Sequence, residues 1–446
     1  MTMKFPSILN LNFVITLILS FQTIAYAQDN NLTTIEKLRN GIPLVIRETP
    51  GSEIVTLSVT FMRGSADESF NRRAVNQLTL DTMTYSTKTF SKQKIFALTE
   101  KYSIGINCNG GVEISQCSAL TLKEYLPQAV DLLAAIVTEP SFNPDDISLA
   151  KQQRIADFQQ DLQNPESQVN AVVNGIFYDQ QHPYRLLPQD GIQQTQGLKA
   201  SDLKEYHSNL LDASSMFITY AGPKLPSNIR ATLQRKFSKI SKRDRPKKIV
   251  VAPAFDPSKR LAFEHREIPT AYIKLKFNAP SITAKDAPAA DLMFEILSER
   301  LQEEIRTKRS LSYAVYAGTI QYNQGIGMIS VSTSKPKETL DAIASVVKDF
   351  KAKGVTAEEL DEQRNVFTTS YFQTLESQNS LAGALSSFQN YFGNARKLYE
   401  LPSQLAGVTP ADVSRIAKEW LKNFRVGVVY DKTKFDSKWL KQLESL

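Results

Sequence analysis

Histidine is scarce in this 446-residue chain, with three copies: His182, His207 and His265. They lie too far apart for any H-E-x-x-H, H-x-x-E-H or H-x-x-H pattern, which excludes the usual helical two-histidine zinc site. Cysteine is rarer still, with two residues, Cys108 and Cys117, and neither has a histidine near it in sequence to make it a nucleophile. There is no G-x-S-x-G, C-x-x-C, P-loop or G-x-G-x-x-G; Gly325-Ile326-Gly327 reads as a hairpin fragment. After the amino terminus no apolar run is long enough to span a bilayer. The net charge of +7 is modest for this length and argues no nucleic-acid partner. What is present is ordinary: 42% hydrophobic and 22% charged residues describe a globular chain with material for a real core, and exclude a fibrous or largely disordered one.

Residues 1–27 read as a secretory signal peptide. Lys4 supplies the positive start, Phe13–Phe21 (FVITLILSF) the apolar centre, and Ala25-Tyr26-Ala27 an A-x-A cleavage pattern. Cleavage leaves no transmembrane anchor, so the expected location is the periplasm of a Gram-negative source and otherwise the medium. Cys108 and Cys117 flank Gly110-Gly111, a hairpin turn. They face each other only if the loop centres on Val112-Glu113; a loop centred on the glycines puts them beyond disulfide reach, so pairing stays open here.

The chain repeats one plan. In the first half a strand (Ile54–Met62) is followed by helices over Arg73–Thr84 and Lys92–Lys101. A strand pair follows (Ile104–Asn109, Val112–Leu122), then a helix of period 3.6 over Leu126–Val137. Asn143-Pro144 opens a long polar helix, another covers Ser167–Phe177, and a helix from Ser201 leads into the strand Ser215–Tyr220. The second half has the same order: Ala271–Phe277, Ala289–Ile305, the pair Ser312–Ile320 and Gly327–Val331, and Thr339–Phe350. A polar helix capped by Thr356 with Glu359 as its capping box comes next, then Leu381–Tyr391, a helix at Pro410, and Phe424–Tyr430. The expected fold class is α+β, two similar halves, each a mostly antiparallel sheet covered by helices. Residues 28–225 form the first domain and 259–446 the second. Residues 226–258 form a proline-punctuated basic linker, in which Arg235–Lys248 holds eight basic residues and one acid and reads as a solvated connection.

The most specific stretch is Leu301–Gly318, LQEEIRTKRSLSYAVYAG. It resembles the second-half signature of the M16 zinc peptidases, the family of insulin-degrading enzyme, pitrilysin and the mitochondrial processing peptidase. There a helix ends in an arginine and a tyrosine opens the next strand, the spacing kept here by Arg306 and Tyr313. The resemblance extends more weakly over about residues 34–435, including Asn40-Gly41-Ile42-Pro43 and His182-Pro183-Tyr184. It implies a first half built to hold zinc on H-x-x-E-H, with a glutamate ligand several dozen residues later. This chain departs from that pattern: Leu78 and Thr82 stand where the histidines belong and Asp81 where the glutamate belongs. Arg154–Gln160, the third-ligand region, contains no glutamate, and Asp157 is its one carboxylate. No cofactor is expected on this chain.

Some bacterial members of the family divide the work between a chain with the zinc motif and one that lacks it but keeps the arginine and tyrosine. By resemblance this chain is of the second kind. It implies a non-catalytic, substrate-binding subunit whose partner is a zinc-bearing M16 chain and whose substrate is a peptide. Arg306 and Tyr313 would donate to a peptide carbonyl that becomes an oxyanion, and Tyr313 would place the peptide at a sheet edge. From composition alone Arg306 is a helix-end arginine paired with Glu303 or Glu304, and Tyr313 a half-buried strand aromatic; the spacing favours the functional reading. The alternatives are a structural or scaffolding protein with no role in proteolysis, and an independent hydrolase with a site of its own.

Overall fold

A computed structural model describes residues 32–244 and 250–444. The signal sequence read over residues 1–27 lies outside the described residues, as do residues 245–249 of the basic run.

Strands β1 (Thr33–Lys37), β2 (Pro43–Glu48), β3 (Ile54–Phe61), β4 (Gly105–Gly110), β5 (Ser115–Leu122) and β6 (Met216–Gly222) form one sheet. Its order is β1-β2-β6-β3-β5-β4. Strands β7 (Leu261–His265), β8 (Ala271–Ala279), β9 (Ala314–Ile320), β10 (Gly325–Thr333) and β11 (Arg425–Tyr430) form the second, ordered β7-β11-β8-β10-β9. With β1 set aside the two orders correspond strand for strand. Among the described strands each sheet also has its parallel pair at the same place, β2 with β6 and β7 with β11, and the other pairs are antiparallel. The repeat legible in the sequence is therefore a repeat of topology.

Around the first sheet run α1 (Val75–Met83), α2 (Lys92–Lys101), α3 (Leu126–Thr138), α4 (Pro144–Gln163), α5 (Pro165–Phe177), α6 (Pro188–Gly197), α7 (Ala200–Leu210) and α8 (Ser227–Phe237). Around the second, short turns apart, run α9 (Ala287–Leu301), α10 (Pro336–Lys353), α11 (Ala357–Thr374), α12 (Gln378–Phe392) and α13 (Pro410–Trp420). Local chemistry sets their starts. The Asn143 side chain accepts the Asp146 amide ahead of α4, and Thr356 accepts the Glu359 amide ahead of α11. The Glu359 carboxylate closes no capping box; it takes two bonds of 2.6 Å from Arg300 instead. A full box forms at Thr409 and Asp412, ahead of α13.

Helix α8 lies inside the stretch read as a linker. Ile229, Leu233 and Phe237 recur every four residues and bury in the first core, where α8 packs on α3. The connection between halves is shorter than its basic composition suggested.

Each sheet is covered partly by a helix from the other half. Helix α5, in the first half of the chain, packs on β7, β8 and β11. Helix α12, in the second, packs on β3 and β6. The contact of α5 is close: a Cβ added at Gly427 of β11 would lie 2.8 Å from Val173 Cβ. That approach requires glycine. Polar bonds follow the exchange, with Thr219 and Ser386 hydroxyls 2.9 Å apart, Thr33 and Tyr399 hydroxyls 2.7 Å apart, and Lys276 Nζ donating to Asn174 Oδ1 at 2.6 Å.

The cysteines are settled by register. Cys108 on β4 stands directly opposite Cys117 on β5, with Cα atoms 4.0 Å apart, and the two form a disulfide. The loop is the one centred on Val112-Glu113, so the β4–β5 pair continues through the glycines.

Candidate functional site

The helix that the resemblance assigns to metal is α1. Leu78 is fully buried in the first core, and the Thr82 hydroxyl is spent on its own helix, donating to the Leu78 carbonyl at 2.7 Å. Asp81 is equally committed. Its Oδ1 accepts from Gln77 at 2.7 Å and its Oδ2 from Arg154 Nη2 at 2.6 Å. Arg154 lies on α4 in the third-ligand region, so a guanidinium now faces the carboxylate where the family pattern would place a metal ion. Asp157 turns mostly to solvent, 3.4 Å from Arg154. Leucine offers zinc no donor and threonine only a weak hydroxyl. Among the described residues no group of three or more His, Cys, Asp or Glu side chains is arranged to hold a metal.

Two neighbouring polar residues of α1, buried Asn76 and half-buried Gln77, are spent inside the fold. Asn76 donates to the Gly111 carbonyl at 2.7 Å and accepts from Ser115 and Tyr206 hydroxyls at 2.9 Å. Gln77 accepts the Gly110 amide at 2.6 Å. These bonds brace the β4–β5 turn. From that turn Glu113, buried, reaches across to the second half: Tyr391 of α12 donates to it at 2.8 Å, and Asn323 donates through its side chain at 2.9 Å and its backbone amide. Tyr184 also donates to it. Burial first, and the Glu113 carboxylate second, hold the Tyr184 and Tyr391 hydroxyls far above the usual phenol range. Both remain donors at every physiological pH.

The Arg306–Tyr313 stretch is built the other way. Helix α9 continues into a wider π-helical turn, Gln302–Lys308, anchored by fully buried Ile305. The chain then reverses at Ser310, whose φ of 49° is left-handed. The reversal is pinned on its inner side: the Leu311 amide bonds the Ile305 carbonyl at 2.8 Å, and the Ser312 hydroxyl bonds the Ser332 carbonyl at 2.6 Å. Tyr313 projects from this pinned turn with 91% of its surface exposed, just before β9. Arg306 is exposed as well. The acids expected to pair with it are taken by others, Glu303 and Glu304 by Lys308 and Glu304 also by Arg309. Strand β9 is the outer strand of its sheet, hydrogen-bonded on one side to β10.

The three histidines occupy three separate places. His182 stacks on Tyr178 and bonds the Val251 carbonyl at 3.0 Å, and burial lowers its pKa. His207 is buried against Phe142, with its Nε2 2.8 Å from the Val137 carbonyl. His265 accepts the Lys432 amide at 3.1 Å. Sequence reasoning missed the bonds of Arg154 to Asp81 and of Glu113 to Tyr184, Asn323 and Tyr391, which span 71 to 278 residues; no local pattern marks them.

A doubled sheet repeat, a metal helix filled by its own side chains, and an exposed arginine–tyrosine turn define a metallopeptidase-like protein without the zinc ligands. Residues 44–187 match the model of the insulinase family, peptidase family M16, and residues 197–367 that of the peptidase M16 inactive domain. The chain belongs to the M16 family. It is 21% identical over 394 residues to a Helicobacter pylori protein named non-peptidase homolog YmxG, covering 85% of this chain and 88% of that one. Its fold is similar to a peptidase M16 inactive domain from Pseudomonas fluorescens, with TM-score 0.82 and 20% identity over 90% of this chain and 98% of that one. A chain of Complex III2 from Candida albicans shares the fold at TM-score 0.77 and 13% identity, covering 92% of this chain and 97% of that one.

Proposed function

We propose that this chain is the non-catalytic, substrate-binding subunit of an exported M16-type zinc peptidase. It presents Arg306 and Tyr313 to a peptide whose scissile bond lies at a zinc site on a partner chain. The observation that carries this reading is the exposure of both side chains on a turn whose inner face is fully pinned, in a protein whose own metal helix is closed. A guanidinium and a phenol held outward can donate to a peptide carbonyl as its oxygen gains charge, and one such donor is worth about 3 kcal/mol in the transition state. Residues 28–225 and 259–446 serve as the two units of the subunit, with α8 belonging to the first.

Export is supported by the Cys108–Cys117 disulfide, a bond that persists in oxidising compartments, together with the leader pattern of residues 1–27. Among the described residues no helix is long and apolar enough to cross a membrane.

The test is reconstitution. The purified chain is expected to hold no stoichiometric zinc by metal analysis and to cleave no peptide, and adding a zinc-bearing M16 partner from the same source is expected to produce cleavage. Full activity of that partner without this chain would instead assign scaffolding. That second reading is favoured by the shared fold with a chain of Complex III2. Chelator-resistant turnover by the isolated chain would assign an independent hydrolase.

A further inference from the structure

Between the two halves lies a cavity of about 360 Å³, large enough for one or two peptide residues. Its first-half wall is the start of α1 with Arg154 and Phe158 of α4; its second-half wall is β8, β9 and the turn beyond. Three cations line it: Arg73, Arg154 and Lys276. The Arg154 charge is matched by Asp81. The other two have no carboxylate partner among the described residues. Arg73 is 2% exposed, gives its terminal nitrogens to the carbonyls of Arg185 and Gln181, and leaves Nε without an acceptor. Lys276, also 2% exposed, has one neutral acceptor, Asn174 Oδ1.

A cation buried without a counterion is costly. Two cations near Lys276 make the cost larger. Lys274 shares its face of β8, and Arg425 stands directly opposite on β11. Glu166 of α5 lies 4.0 Å from Lys274, and Met328 is opposite on β10. Tyr178, Tyr184 and Tyr322 also line the cavity, neutral phenols raised by burial. Burial, then Lys274, pushes the Lys276 ammonium down to about 7.

Resting on the peptide-binding reading above, we propose that this cavity is a carboxylate-binding site in which Lys276, with Arg73 elsewhere in the lining, grips the C-terminal or acidic side-chain carboxylate of a peptide. The aromatic walls take the adjoining side chain. A bound carboxylate supplies the counterion that Lys276 lacks and restores its proton. Binding above neutral pH therefore takes up a proton, and affinity falls as pH rises beyond about 7.

The experiment is calorimetric titration of the full chain alone with three probes: acetyl-Ala-Phe-Ala as the free acid, the same peptide as its carboxamide, and acetyl-Ala-Glu-Ala carboxamide. The free acid is expected to bind at least about tenfold more tightly than its amide, as one charge-assisted hydrogen bond provides. A matching gain by the glutamate peptide alone would assign the side chain as the source of the carboxylate. Lys276→Met is expected to erase the preference while the chain stays folded by circular dichroism. A second measurement needs no variant: titration at pH 8 in HEPES and in Tris should report uptake approaching one proton per peptide. Equal binding of all three probes, or no proton uptake at pH 8, overturns the proposal. Because the partner is absent from this assay, its failure leaves partner-assisted cleavage untouched, and loss of that cleavage would leave an acid-over-amide preference standing.

Discussion

Helix α1 and the turn from Arg306 to Tyr313, the two places to which the resemblance assigns chemistry, are built in opposite ways. On α1 four polar side chains near the old ligand positions are committed within the fold: Thr82 to its own helix, Asp81 to Arg154, Asn76 and Gln77 to the β4–β5 turn. At the turn the Leu311 amide and the Ser312 hydroxyl carry the internal bonds, and both long side chains are left to solvent. A residue whose hydrogen-bonding capacity is used up inside the fold serves stability. One held rigidly with its capacity unused is available to something outside.

That contrast can be broken at its strongest point first. Arg306→Ala is expected to lower kcat/KM of the reconstituted assembly about 100-fold, by the size of one oxyanion donor, and Tyr313→Phe by a smaller factor. Neither should move the melting temperature measurably, since exposed residues contribute little to folding. An unchanged kcat/KM in both variants would remove the turn from function. Next comes the clamp between halves. Glu113→Ala strands buried tyrosine and asparagine donors and should cost about 3 kcal/mol in urea unfolding, with no direct loss of a substrate contact; a loss under 1 kcal/mol would mean that the clamp closes around water at little cost. The Cys108→Ser/Cys117→Ser pair should cost about 2–3 kcal/mol for so short a loop, and reduction of the native chain should match it. Smallest is Asp81→Asn. Its pair with Arg154 is partly exposed, so about 1 kcal/mol is expected, and zinc content should stay at zero. A large loss of partner-assisted activity from Asp81→Asn would collapse the distinction between the two regions.

Most of the architecture was legible because it is written locally. Caps at Asn143, Thr356 and Thr409 and the apolar periods between them set the order of elements, and that order repeats within the sequence itself. The arginine–tyrosine spacing was legible for the same reason, being a short motif on a helix end. Three features were not. Helix α8 hid its Ile229, Leu233 and Phe237 stripe under a basic composition that reads as linker. Glu359 met the local rule for a capping box but was captured by Arg300, 59 residues earlier, because a bidentate guanidinium outcompetes one backbone amide. The disulfide depended on whether the β4–β5 turn centred on the glycines or two residues later, a choice fixed by Asn76 and Gln77 gripping Gly111 and Gly110 from α1. Tertiary partners decided each of these.

The exchange of α5 and α12 bears on how such a subunit can move. Each half is roofed in part by a piece of the other, and with Gly427 pressed onto α5 there is no plane along which they could swing apart without tearing both roofs. The exchanged helices tie the two halves to each other. On the proposed function, a peptide would be admitted and its fragments released by two whole subunits parting from one another and not by a hinge within this one.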